Sequence, residues 1–275
     1  NNHTNDKGNI GIERTYDLIT EKGLTVSGTQ KNDTDKNYVI KEVKGVKIGI
    51  LSYSYGEIVN GTKKLNGIPV SKSLSERVNV FDSRYFNDTL DMLDKDLNEM
   101  KSENPDIIIF VPHWGNEYQT TPSNFQKNLA QEMSNRGVDI IFGSHPHVVQ
   151  PIETLTSETD NNHKTTVVYS MGNFISNQRK ELISSSNYTE DGIMVNVKLK
   201  KTDSGVEVSE VSYIPTWVNR YKSNPHYTYE IIPIVNKEEL ENIDNLNLND
   251  VKSSYENTKK LINNENIPLF TTKES

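Results

Sequence analysis

Cysteine is absent from the 275 residues. That excludes a disulfide framework and any thiolate zinc site. Long apolar runs are missing too: no stretch approaches the roughly 18 residues that a membrane-spanning helix needs, and the opening residues, NNHTNDKG, do not make a signal peptide. Basic residues are outnumbered, with 30 Lys and Arg against 38 Asp and Glu and a net charge of -8. This balance argues against a surface that tracks nucleic-acid phosphates, so nucleic acid is not an expected partner. Apolar residues make up only 33%, and adding the 15 glycines still leaves the share below the usual ~45–50%. Histidine is also scarce at six in the whole chain, so any grouping of histidines carries information.

What the chain does have is length and periodicity. It suits one large domain or a domain with an appendage, and the β-branched runs are too many for disorder. Residues 8–23 carry Ile12, Tyr16 and Ile19 at helical spacing, closed by Gly23; Asp6 is expected to cap that helix. Residues 38–54 read as a hairpin around Lys44-Gly45, and 56–75 as loop. The segment 83–105 is a helix with Phe86, Leu90, Leu93, Leu97 and Met100 along one side, stopped by Pro105. DIIIFVPHWGNEY is apolar throughout its first half, as a strand covered on both faces would be. A helix follows, with Pro122 at its first position and Gly137 at its C-terminal cap. VDIIFGSHPH is then a second buried strand. Strand, helix and strand make a right-handed βαβ unit with parallel strands. A third strand is expected over 165–174, a hairpin around Asp203-Ser204-Gly205, and polar helix over 248–264. The expected domain is 1–235, with a C-terminal helical appendage over 236–275.

Three of the six histidines stand at strand ends: His113 after DIIIFVP, and His145 and His147 after VDIIFG. Ligands of open α/β sheets bind beyond the carboxyl ends of the strands. Pro146 pushes His145 toward extended backbone, where residues two apart share a face. The pair can then aim into one space that His113 reaches from the neighbouring strand. Neutral imidazole suits Zn, Mn, Fe or Ni. Glu117 reads equally as a carboxylate orienting an imidazole or as a surface acid, and Asn173 as a turn residue. Trp114 and Tyr118 read as rim packing, His163 and His226 as solvated.

In order, NNHTNDKG, VPHWGNEY, GSHPHVVQPIE and YSMGNF closely resemble the CapA-type capsule synthesis proteins of poly-γ-glutamate, a branch of the calcineurin-like metallophosphoesterases, over roughly residues 1–220. The resemblance implies an α/β fold: a metallophosphoesterase-like β-sandwich flanked by helices, here missing its N-terminal strands. It implies Asn2, His113, His145 and His147 as metal ligands, His3 as general acid, and Asn173 near the site. It also implies a polymer or phosphoester substrate, membrane-bound capsule synthesis subunits as partners, and an extracytoplasmic, cell-surface location with an anchor upstream of this sequence. The phosphoesterases further take carboxylates from an Asp-x-His and a Gly-Asp, and neither occurs here. The expectation is therefore a divalent metal (Mn, Zn or Fe) without a full dinuclear centre. Two functions of different class stay open: a metal-dependent hydrolase, and a non-catalytic assembly or transport factor.

Overall fold

The computed structural model describes residues 1–203, 205–235, 237–262 and 264–270. These form two compact units, one of residues 1–114, 128–141 and 156–165, the other of 115–127, 142–155 and 166–275. In chain order the elements are α1 (Gly8–Glu21), β1 (Tyr38–Val43), β2 (Val46–Tyr55), β3 (Glu57–Val59), β4 (Thr62–Leu65), β5 (Ile68–Pro69), β6 (Val80–Phe81), α2 (Phe86–Lys101), β7 (Ile107–His113), α3 (Asn124–Asn135), β8 (Ile140–Phe142), β9 (Ile152–Thr156), β10 (Lys164–Val168), β11 (Asp191–Thr202), β12 (Gly205–Ser223), β13 (His226–Pro233), α4 (Lys237–Glu241) and α5 (Leu248–Ile262). The fold is mixed α/β, as expected.

In the first unit β1 and β2 form the expected antiparallel hairpin, closing Val43 on Val46. β2 then runs parallel to β7 from Ile48↔Ile107 to Ser54↔His113, and β7 parallel to β8 through Ile109↔Ile140. The strands that frame α3 are thus parallel neighbours. α2 lays Leu93, Leu97 and Met100, all buried, toward β1 and β2. The approach is close, since a Cβ at Gly49 would collide with the Met100 sulfur.

Residues 56–75 are not loop. β3, β4 and β5 make an antiparallel meander, turned at Asn60-Gly61 (φ 49° and 75°) and Asn66-Gly67 (φ 50° and 75°). Asn-Gly is the preferred pair for tight hairpin turns. The strands span only two to four residues, too few for alternation to be read from the sequence. Leu65 and Val70 pack there with Ile12, Leu74, Val78 and Val80 in a small core.

In the second unit β11 and β12 form the long expected hairpin, although Ser204 at its turn lies outside the described residues. β13 pairs with β12 from Thr216↔Pro233 to Ser223↔His226. α5 packs on β11 and β12. Its Ile262 joins Val149, Val168, Ile193 and Tyr213 in one core cluster, and its Val251 joins Trp217, Ile232 and Leu240 in another. The third expected strand is shorter than its apolar run. β10 ends at Val168, and beyond it Met171 and Gly172 make single bridges to Val149 and Gly192. Among the described residues no helix is long and apolar enough to cross a membrane.

Candidate metal centre

The second unit brings Glu117, His145 and His147 together, with one potential ligand atom from each lying within 4.8 Å of the others. Two local devices produce this. Glu117 rides on a loop that turns at Gly115 (φ +88°), where a Cβ would run into the Gln126 carboxamide. Gln126, fully buried, donates from Nε2 to Gln150 Oε1 at 2.8 Å, and Gln150 donates to the Gln119 carbonyl at 2.8 Å. The Tyr118 N–H donates to the Pro146 carbonyl at 2.7 Å. These bonds stitch the loop carrying Glu117 to the segment carrying both histidines. Neither glutamine was singled out from the sequence, because a buried Gln–Gln pair leaves no periodic signature.

The histidine pair is aimed differently from expectation. His145 and His147 are not extended: their φ angles are +106° and +59°. For a residue with a Cβ this is strained backbone, and such strain gathers at functional sites. Pro146 fixes its own φ and removes one donor. With a positive-φ residue on each side of it, the chain folds back far enough to set the two imidazoles 6.0 Å apart, centroid to centroid. The shared face therefore comes from a tight reversal, not from strand alternation.

The His147 tautomer follows from Asn173. Asn173 Nδ2 donates to the Thr189 carbonyl (2.9 Å) and the His147 carbonyl (3.2 Å), so its Oδ1 faces His147 Nδ1 at 2.9 Å. An amide oxygen only accepts, so Nδ1 carries the proton. The lone pair is left on Nε2, 4.0 Å from Glu117 Oε1. This is the arrangement of a ligating imidazole steadied through its other nitrogen. Gly172 (φ +70°) precedes Asn173, where a Cβ would meet the Asp191 carbonyl. Tyr118 stacks on His147 at 6.2 Å and 28°; burial and the neighbouring Glu117 charge raise its phenol above the ordinary value.

In the first unit Asn2 and His113 meet. His113 Nε2 lies 2.9 Å from Asn2 Oδ1, and Asn2 Nδ2 donates to the Tyr55 hydroxyl at 3.1 Å. Asn2 and Asn5 are buried, and Asn5 Nδ2 donates to the Ile68 and Pro69 carbonyls of β5. His3 is exposed, its Nδ1 2.8 Å from Asp6 Oδ2 and 3.3 Å from Asn66 Nδ2. Asp6 therefore does not cap α1, whose N-cap, Lys7, makes no side-chain capping bond. Two other readings change. Trp114 is fully buried, edge-on to Phe110 at 6.4 Å, so it is core, not rim. His163 is not solvated: its Nε2 lies 3.0 Å from the Val138 carbonyl and its Nδ1 4.0 Å from Asp139.

Comparison with known proteins gives a consistent answer. The model of the family described as bacterial capsule synthesis protein PGA_cap matches residues 1–178. The chain is 31% identical over 207 residues to a Bacillus subtilis (strain 168) protein named PGA biosynthesis protein CapA, covering 74% of this chain and 47% of that one. It is 30% identical over 212 residues to a Bacillus anthracis protein named capsule biosynthesis protein CapA, covering 77% and 45%. The chain thus spans about half the length of the curated relatives it matches. A solved structure of a hypothetical protein from Thermus thermophilus aligns at a TM-score of 0.38 and 10% identity over 80% of this chain and 71% of that one, a likeness that carries no argument.

Proposed function

The chain belongs to the bacterial capsule synthesis protein family PGA_cap, and from that premise we propose that it serves the synthesis or export of a poly-γ-glutamate capsule or a similar cell-surface polymer, through a divalent metal held by Glu117, His145 and His147. The observation that carries the metal reading is the Asn173–His147 bond, which leaves Nε2 as a lone-pair donor on the Glu117 side. A carboxylate with two imidazoles suits Mn, Fe or Zn. A bound ion would supply Lewis-acid polarisation of a phosphoryl or amide oxygen.

The other roles rest on this chain's own groups. Asn2 and His113 form a second pair of candidate ligands. Their 2.9 Å separation is also that of two ligand atoms set at about a right angle, each roughly 2.1 Å from one ion. His3 is proposed as the general acid: Asp6 engages its Nδ1, so proton transfer to a leaving oxygen falls to Nε2. The substrate is a polymer or phosphoester, and the partners are membrane-bound capsule synthesis subunits outside the cytoplasm.

The test is genetic. The gene encoding this chain is replaced by His147→Ala and His3→Ala alleles, and polymer retained on the cell surface is measured. Both alleles are expected to lose it. Retention at the wild-type level with both would overturn the proposal. Lost polymer with undiminished hydrolysis of model esters would move the site from hydrolysis to assembly.

A further inference from the structure

Thr189 and Asp191, on either side of Glu190, hold Asn173 by its side chain and its backbone. The Thr189 carbonyl accepts from Asn173 Nδ2 at 2.9 Å, and the Asp191 carbonyl accepts from the Asn173 backbone N–H at 3.2 Å. Between them, the Glu190 carbonyl accepts from the Val218 N–H at 3.0 Å. The Glu190 side chain is buried, and three groups converge on its carboxylate. Arg179 Nε lies 3.1 Å from Oε1, the Lys180 N–H donates to Oε1 at 3.1 Å, and Trp217 Nε1 donates to Oε2 at 3.2 Å. Arg179 also lies over the Trp217 ring, 5.8 Å from its centroid. A carboxylate tied at both oxygens anchors the Glu190 backbone, which carries the Thr189 and Asp191 carbonyls on either side of it.

From this geometry we infer that Glu190 is a positioning residue for the His147 imidazole, acting through the Thr189 and Asp191 carbonyls and the Asn173 carboxamide. The inference builds on the metal reading above. The groups that meet the Glu190 carboxylate are Arg179, Lys180 and Trp217, none of them a candidate ligand. The effect of Glu190 is to hold the Asn173 amide in the one orientation that presents Oδ1, and not Nδ2, to His147 Nδ1. If Asn173 turned over, its NH₂ would face Nδ1, the proton would move to Nε2, and the ligand lone pair would be lost from the Glu117 side. The whole clamp, from Arg179 to Val218, lies past residue 178, where the match to the family model ends.

The test compares wild type with Glu190→Gln and with the double variant Arg179→Met/Glu190→Gln. Gln turns its NH₂ toward either Trp217 Nε1 or the Arg179 and Lys180 donors, and leaves the guanidinium charge stranded from its nearest carboxylate. The double variant removes that stranded charge, so it separates a loss of stability from a loss of position. The readouts are the melting temperature, the His147 tautomer in metal-free, ¹⁵N-histidine-labelled protein at a pH where imidazole is neutral, and the Mn²⁺ dissociation constant. Wild-type His147 is expected to carry its proton on Nδ1. Both variants are expected to shift a measurable fraction to Nε2 and to weaken Mn²⁺ about tenfold, at the low end of the ~10–100-fold seen for partners of ligating groups. The melting temperature should fall in the single variant and recover in the double. Wild-type tautomer and affinity in a folded double variant would overturn the inference. Absence of Mn²⁺ binding by the wild type would instead count against the metal reading, and the metal-free tautomer would still decide the positioning role.

Discussion

At the scale of single residues the account turns on which imidazole nitrogen is left free. Asn173→Leu removes the acceptor of the His147 Nδ1 proton while leaving Glu117, His145 and His147 in place. Metal affinity should fall by roughly 10–100-fold, read by Mn²⁺ or Zn²⁺ titration of the folded variant. The role proposed for His3 is different, and its variant should respond differently. General acid–base assistance is typically worth ~10²–10⁴ in rate. His3→Ala, made in a chain that hydrolyses a model ester, should lower turnover by about that factor with metal content unchanged, whereas His147→Ala should lower both. The two histidines of GSHPHVV stood out in the sequence because histidine is rare and the pair closes an apolar run. Their backbone did not stand out, since φ values of +106° and +59° depend on the loop that packs against Pro146. In the sequence Glu117 reads equally as a site residue or a surface acid, because the Gln126–Gln150 bond that brings its loop in joins residues far apart in the chain.

At the scale of elements, α5 shows how a buried carboxyl can tie one element to another. Asp191 at the start of β11 is buried, and Asn257 of α5 donates to its Oδ2 at 3.2 Å. Burial raises its pKa to about 7, against the opposing pull of the hydrogen bonds it accepts. Between the ordinary value of about 4 and about 7, the folded chain keeps a proton that the unfolded chain has released. Stability from this group is therefore complete in acid and falls as pH rises through that window, by about 1.4 kcal/mol for each pH step of one across it. Asp191→Asn, which cannot ionise, should leave the melting temperature near wild type at pH 4 and raise it at pH 8. The opposite pH trend would refute the assignment. α5 also fills cores: a chain ending at residue 235 uncovers Trp217, Ile232, Ile193 and Tyr213, all buried. It should lose its cooperative thermal transition or bind a hydrophobic dye. The long elements were legible because their apolar periods run for many residues, as in α2 and in β7. The β3–β5 meander was missed although both of its Asn-Gly turns stand in the sequence, because such turns predict a hairpin only when the flanking strands are long enough to show a period.

At the scale of the whole molecule, order of motifs did what composition could not. A net charge of -8 and the absence of cysteine removed classes of function without naming one. Four short segments in sequence named a family, and the match to PGA_cap over residues 1–178 bears that out. The geometry of the candidate site was not legible at this scale, because it is set by side-chain hydrogen bonds such as that of Asn173 with His147. The most direct test of the central claim, a metal bound by Glu117, His145 and His147, is equilibrium dialysis of the purified chain against Mn²⁺ or Zn²⁺ followed by elemental analysis, with Glu117→Gln and His145→Ala/His147→Ala measured alongside. The account predicts about one tightly held equivalent in the wild type, weakened in the Glu117 variant and absent from the double histidine variant. No bound metal in the wild type, or an equivalent retained in full when both histidines are removed, would contradict it.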